Sequence, residues 1–484
     1  MQKSLGAVLA ALAVAGVSAA TVGCSSADSA VSAGCAVITG CGLGGCALCG
    51  SSCAAGCSSG SSCSTGCTVS SCFVSCAATC GTFTCGSCAN CASACGLCST
   101  SACGVACGAP GLGGAGGGDA AIDAADWDDN RNFAFFQRYR AEAEATYGVD
   151  DYPSDDRVTV QIVDASSAPV SGAHVTITPA NEVTPAFDGY AGADGQVLFF
   201  PLHDAGMGAT AFSIDASGPN GEAPTTATGQ QGSATWRVSL AATSAGPPTA
   251  LDVALVVDTT SSMGPTLTYL QANALGIAGA ISAAFPQVDA RFALVVYRDV
   301  HDAYVTRAFD FTSSVDDFNM QLYGQVADGG GDTPEAVELG LGAMNQLSWR
   351  PGSVARVAFL VGDAPPHPSS GGAYFDQIDA ARRLGVRLYP VGTAGVDEPA
   401  EYYFRAGAEA TLGRYLFVTS NAPSPTIGPL PCYEVEDLDK LVERMVAVEL
   451  TGTRVAASTA DVLGTVGDPM NGQCSLSDGT TVSF

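Results

Sequence analysis

The run Leu251-Asp252-Val253-Ala254-Leu255-Val256-Val257-Asp258-Thr259-Thr260-Ser261-Ser262 decides the fold. From Asp252 to Val257 it is almost continuously apolar, the pattern of a strand covered on both faces. It then changes within one step to an acid and a series of hydroxyls. A buried parallel strand with that ending delivers its oxygens to the carboxyl edge of a sheet, where open α/β folds collect ligands.

Downstream, the alternation of apolar runs and helical periodicity continues. The spacing predicts helices over 266–285, 335–347, 374–384, 398–410 and 435–449, with strands over 292–297, 306–311, 354–361, 386–391 and 414–418. Strands alternating with helices imply an α/β fold, a doubly wound and mainly parallel sheet with helices on both faces. Two more segments end in oxygen ligands. One is the loop Gly329-Gly330-Gly331-Asp332-Thr333-Pro334-Glu335; the other is Val361-Gly362-Asp363. Hard cations such as Mg2+ and Ca2+ take oxygen ligands, and residues 258, 260 and 262 can project to one side of a tight turn.

These motifs resemble the von Willebrand factor A (VWA) family. Asp258-Thr259-Thr260-Ser261-Ser262 is similar to the D-x-S/T-x-S signature that opens its metal-ion-dependent adhesion site. Gly331-Asp332-Thr333-Pro334-Glu335 resembles the D-S/T-P-E loop of integrin β-subunits and related bacterial members, and Asp363 matches the third element. Tyr297-Arg298-Asp299 is also similar to the family. The resemblance implies a divalent ion, Mg2+ or alternatively Ca2+ or Mn2+, held by Asp258, Thr260, Ser262, Glu335 and Asp363, with Thr333 and Asp332 as alternates in the middle element. It further implies a protein partner that binds through a carboxylate on the metal. His367 lies four residues after Asp363, but Ser261 sits inside the metal motif and lacks a G-x-S-x-G elbow, so the reading is a binding protein and not an enzyme.

Upstream the period changes to two. Val158, Val160 and Ile162 alternate with polar residues, further short runs follow, and Ala193-Asp194-Gly195 and Ser217-Gly218-Pro219-Asn220-Gly221 punctuate them. This predicts a small all-β sandwich over 157–243. Pro169-Val170-Ser171-Gly172-Ala173-His174-Val175-Thr176 with Ala193-Asp194-Gly195-Gln196 resembles bacterial Ig-like modules of the carboxypeptidase-regulatory type, spacers or adhesive units; His174 is read as an ordinary strand residue. Residues 119–156 read as an acidic helical connector, with a helix over 130–147. The VWA-like part is bounded at 249–450, and 451–484 form a C-terminal tail.

The N-terminal quarter is different in kind. From Ser29 to Gly118 there is no Asp, Glu, Lys, Arg or His, and 18 cysteines fall within the 73 residues from Cys35 to Cys107. A metal–thiolate cluster of that size would need cations nearby, and there are none. The segment, with its linker 24–118, is therefore expected to be a disulfide-rich, low-complexity stalk that closes its loops with bonds in place of a core. Residues 1–23 have the layout of an export signal, with Lys3 before an apolar run. Thr21-Val22-Gly23-Cys24 resembles a bacterial lipoprotein cleavage box, although Leu is usual where Thr21 stands. Cys24 is thus the candidate lipidation site, and the expected location is extracytoplasmic: lipid-anchored at the bacterial cell envelope or surface, otherwise secreted. Beyond the stalk only Cys432 and Cys474 remain. A disulfide between them would close a loop of about 40 residues and stabilise by roughly 4 kcal/mol. In domains of the resembling family the last helix shifts when ligand binds, and such a bond would restrain it.

Composition excludes some partners. The chain carries 19 Lys plus Arg against 47 Asp plus Glu, net −28. That field repels nucleic acid and anionic lipid, so membrane contact is expected only through a lipid anchor. The resulting expectation is adhesion or protein binding at the cell surface. Two alternatives stay open: a structural envelope or matrix protein built on the Cys-rich segment, and a non-catalytic accessory in assembly or metal insertion.

Overall fold

The computed structural model describes residues 122–241, 246–331, 333–419, 430–470 and 472–484. The expected leader, Cys24, the Cys-rich stalk and Asp332 lie outside the described residues.

In chain order the elements are β1 (Asp123–Trp127), α1 (Phe133–Tyr147), β2 (Val158–Val163), β3 (His174–Pro179), β4 (Phe187–Tyr190), β5 (Gln196–Phe199), α2 (Pro201–Ala205), β6 (Ala211–Ser217), β7 (Thr225–Gln230), β8 (Thr235–Ser239), β9 (Ala250–Asp258), α3 (Gly264–Ala284), β10 (Asp289–Tyr297), β11 (Thr306–Thr312), α4 (Val315–Tyr323), α5 (Val337–Asn345), β12 (Ala355–Gly362), α6 (Gly371–Leu384), β13 (Arg387–Gly392), α7 (Glu398–Ala410), β14 (Tyr415–Val418), β15 (Tyr433–Asp437), α8 (Leu438–Thr451), β16 (Gly464–Val466), β17 (Gln473–Ser475) and β18 (Thr481–Ser483).

The large sheet has nine strands in the order β11-β10-β9-β12-β13-β14-β1-β15-β16. β10, β9, β12, β13 and β14 run parallel, while β11, β1 and β16 pair antiparallel to their neighbours. The fold is α/β, with a mixed sheet between two helical layers. Alternation along β9 divides the core. Ala254 and Val256 join α5, α6 and α7 through Leu341, Ile378 and Phe404. Val253 and Val257 join α3, α4 and α8 through Leu270, Leu322 and Met445. A strand buried on both faces needs apolar side chains at every position, which is why β12 is buried throughout.

Several stretches differ from the sequence reading, among them α4 (Val315–Tyr323), which was not expected. The segment expected to be only a helical connector, 119–156, places β1 inside the sheet between β14 and β15. Residues 435–437, expected as the start of the last helix, are strand, because Val435 pairs with Ala125 of β1 and the ladder overrides local helical preference. The tail beyond 450 adds β16 to the sheet edge. Its hairpin β17–β18 packs near the start of α1, where the Asn132 side chain donates to Ser483 O at 2.7 Å and accepts from Ser483 N at 2.8 Å. A disulfide joins Cys432 to Cys474.

The seven strands β2–β8 form two sheets, β5-β2-β8 and β4-β3-β6-β7. They share one core that includes Val160, Ile162, Ile177, Phe199, Phe212 and Trp236. This unit is inserted between α1 and β9 and packs on the amino edge of the large sheet. Arg387, the first residue of β13, meets Asp194 at 2.7 Å, and Ser353 meets Ser171 at 3.0 Å. The opposite, carboxyl edge carries Asp258 and Asp363.

Candidate metal centre

β9 ends in Asp258, and the chain turns at once into a short 3-10 turn, Ser261–Met263. One Asp258 oxygen, Oδ1, accepts from Thr260 N at 2.8 Å and Thr260 Oγ1 at 2.7 Å. This local bond pattern fixes the turn and aims Thr260 back toward the acid. Thr260 Oγ1 lies 3.4 Å from Ser262 Oγ. β12 ends beside β9 at Gly362, and the next residue, Asp363, accepts a hydrogen bond from the Ser262 side chain. Glycine is needed at 362, because a Cβ there would stand 2.7 Å from the Tyr297 hydroxyl that underlies the site.

Glu335 comes from the long loop after β11 and α4. Its amide donates to Pro365 O at 3.0 Å, which stitches this loop to the one that follows Asp363. On the other side Gly330 N donates to Asp302 Oδ2 at 2.8 Å, and Ser261 Oγ donates to Gly329 O at 2.7 Å. The structure therefore gathers Asp258, Thr260, Ser262 and Asp363 at the ends of β9 and β12 and sets Glu335 beside Thr260. Thr333 is exposed on the loop.

The electrostatics are those of a site short of positive charge. Asp258, Glu335 and Asp363 are all buried. Burial pushes Asp258 up to about 7, reinforced by Asp363 and Asp302. Burial, with the negative charges of Asp258, Asp299, Asp302 and Asp363, pushes Glu335 up to about 9. Burial also raises Asp363, against the Ser262 hydrogen bond. Among the described residues, no donor reaches Asp258 Oδ2 or Glu335 Oε2. Buried carboxylates that lack a partner are costly and scarce in folded proteins. A set of carboxylates and hydroxyls with two orphaned oxygens and no bonded guanidinium or ammonium suits a hard divalent cation.

Sequence reasoning did not single out Asp302, and it quoted Tyr297 and the Gly329–Gly331 run without giving them a role at this centre. Asp302 lies in the loop beyond β10, which ends at Tyr297, so the criterion used for Asp258, an acid directly after a buried strand, does not reach it. His367 pairs with Asp299 at 3.2 Å, while the Ser261 hydroxyl is bonded to Gly329 O.

A second cluster, His203, Asp204 and Asp379, has ligand-type atoms within 4.8 Å of one another. Its acids are already partnered. Arg382 donates to both oxygens of Asp204 at 2.5 and 3.0 Å and to Asp379 at 2.8 Å, and Tyr152 and His203 complete Asp379 at 2.8 and 2.5 Å. A cation there would have to displace a buried arginine, so we read it as an ion-pair joint between the sandwich and α6.

With that geometry in hand, residues 252–422 match the family model of the von Willebrand factor type A domain, and the chain carries such a domain. Part of the chain is 29% identical over 191 residues to an ariadne-like RING finger protein of Acanthamoeba polyphaga mimivirus, covering 35% of this chain and 18% of that protein. It is 28% identical over 156 residues to an alpha-protein kinase of Dictyostelium discoideum, covering 32% of this chain and 25% of that protein. The chain thus spans a quarter or less of the length of these curated relatives. VWA domains generally mediate protein–protein interaction and adhesion, and they commonly bind a divalent metal.

Proposed function

We propose that this is an extracytoplasmic binding protein whose VWA domain engages a protein partner through a divalent cation. The cation is Mg2+, or Ca2+ or Mn2+ in its place, held by Asp258, Thr260, Ser262, Glu335 and Asp363. The observation that carries this reading is the pair of buried oxygens, Asp258 Oδ2 and Glu335 Oε2, that no donor reaches among the described residues. When bound, the ion supplies positive charge and an open coordination position for a carboxylate of the partner. The residues of the chain do the rest. Asp258 and Thr260 hold each other in place, Ser262 orients Asp363, and the 329–335 loop brings Glu335 over the strand ends. The centre lies at the carboxyl edge, away from the inserted sandwich, which leaves it facing outward. We take the sandwich to be an Ig-like spacer, the Cys-rich segment to be a disulfide stalk, and Cys24 to be the lipid attachment point at the cell envelope.

Calorimetric titration of the full chain with Mg2+, Ca2+ and Mn2+ tests the reading. Saturable binding that Asp258→Ala and Asp363→Ala each abolish, with both variants folded, is the expected result. A folded wild-type chain that takes up none of the three ions would move the assignment to a structural role.

A further inference from the structure

The mouth of the metal centre is bounded by glycine on two sides. Gly330 lies on the loop beside Asp302, toward β10, and Gly395 lies on the loop after β13, so they flank the ends of β9 and β12 from opposite directions. Both have positive φ, 74° and 109°. A Cβ at 330 would stand 3.1 Å from Glu335 Oε1 and 3.2 Å from Thr260 Cβ, and one at 395 would stand 3.5 Å from Asp363 Oδ2. Any longer side chain at either position would extend across ligand oxygens. Gly395 and its neighbour Ala394 are exposed, as are Ser261, Ser262, Gly331 and Thr333 around the same opening. Among these described residues the rim carries only small side chains.

We infer that Gly330 and Gly395 are specificity-determining residues: they set the size of the acidic group the centre admits and keep its open face clear for a carboxylate carried on a bulky partner. This inference rests on the metal reading above. At these two positions glycine has no side chain to fold over the ion, so neither closes the centre to an acid from outside.

The experiment uses the full chain loaded with Mn2+, with water-proton relaxation reporting the bound ion and acetate as the carboxylate probe. Gly395→Leu supplies bulk; Gly395→Ala carries the same backbone strain with little bulk and separates the two effects. In the wild type, Mn2+ binds and acetate lowers the relaxation enhancement by displacing water. In Gly395→Leu, Mn2+ affinity should stay within about twofold while the acetate response shifts to about tenfold higher concentration, the scale of a steric misfit in a small pocket. Gly395→Ala should stay close to the wild type. An unchanged acetate response in a Mn2+-loaded Gly395→Leu chain would overturn the inference. So would loss of Mn2+ binding in that variant, which would make Gly395 a support for Asp363, or a wild type that holds Mn2+ but ignores acetate. A wild type that binds no Mn2+ overturns the metal reading itself, a separate result because ion binding is read before acetate is added.

Discussion

Asp252 and Asp258 stand on one strand, β9, and neither is accessible to solvent. Their surroundings are opposite. Asp252, near the amino end, accepts from Arg291 Nε and Nη2 at 2.9 and 2.8 Å and from Arg350 N and Nε at 2.9 and 2.8 Å. Asp258, at the carboxyl end, has among the described residues Thr260 on one oxygen and no donor on the other. The contrast extends across the sheet. Around β1 and the amino edge, buried acids meet arginines: Asp129 with Arg405 at 2.7 Å, and Asp126 with Arg444 and Arg414 at 2.6 and 2.9 Å. Burial opposes ionisation of Asp126, yet the two guanidiniums override it and hold it at about 2. Where the chain supplies the cation, the acid is a structural pin. Where it supplies hydroxyls and more acids, our proposal is that the cation comes from outside.

The largest expected effect breaks the paired side. Arg405 and Asp129 are both almost wholly buried, so Arg405→Met removes the ion pair of both Asp129 and Glu401 and leaves Asp129 only the Trp127 indole N–H at 2.9 Å. Breaking one partner of such a pair should cost about 3–5 kcal/mol, read by urea unfolding. A cost below about 1 kcal/mol would mean that water replaces the arginine. Next, Cys432→Ser with Cys474→Ser removes the bond that ties the C-terminal hairpin to the approach to β15. Closing a loop with a sequence separation of 42 should be worth about 2–4 kcal/mol, so the same unfolding curve should shift by that amount and reducing agent should shift only the parent.

The unpaired side should respond the other way. Asp258 is pushed up to about 7 from 3.8. In the ion-free protein the folded chain therefore holds a proton that the unfolded chain releases, and the stability this contributes is lost as pH rises from about 4 toward 7 and beyond. Asp258→Asn should thus leave the ion-free protein as stable or about 1 kcal/mol more stable at pH 8, because it removes an unpartnered buried charge. It should also abolish the rise in Tm on adding Mg2+. A loss of stability without ion would show that Asp258 is a pin like Asp252.

The smallest effect tests the joint at the sandwich. The hydrogen bond to Asp379 raises His203 above its ordinary 6.5, against partial burial. Its contribution is full below about 6.5 and is lost as pH rises through the raised value. Stability should therefore fall by about 1 kcal/mol on that alkaline side, and His203→Gln should flatten the slope. An unchanged slope would leave the joint to Arg382 alone.

Much of this contrast can be read from the sequence, and the reason is physical. A strand buried on both faces is apolar at every position, so β9 and β12 announce themselves, and an acid directly after such a run stands out. The sandwich strands show the period of two. What could not be read is β1. Asp123–Trp127 is five residues with two acids, and nothing in its own composition says strand; it is held in place by β14, β15 and partners hundreds of residues away, Arg414 and Arg444. Residues 435–437 were hidden for the same reason, since their ladder partner lies at the other end of the chain. α4 was missed although its start carried a signal: Ser314 caps it by accepting from Asp317 N at 3.1 Å, with Asp316 and Asp317 in the first turn. The two metal-like clusters share paired acids, although one adds hydroxyls and the other a histidine. The position of Arg382, invisible in the sequence, is what neutralises the joint at His203, Asp204 and Asp379.

That separation is tested most directly by anomalous diffraction from crystals of the full chain grown with Mn2+. The account predicts one anomalous peak among Asp258, Thr260, Ser262, Glu335 and Asp363, and none between His203, Asp204 and Asp379. A peak at the histidine cluster with Arg382 displaced, or no peak at the end of β9, would contradict it.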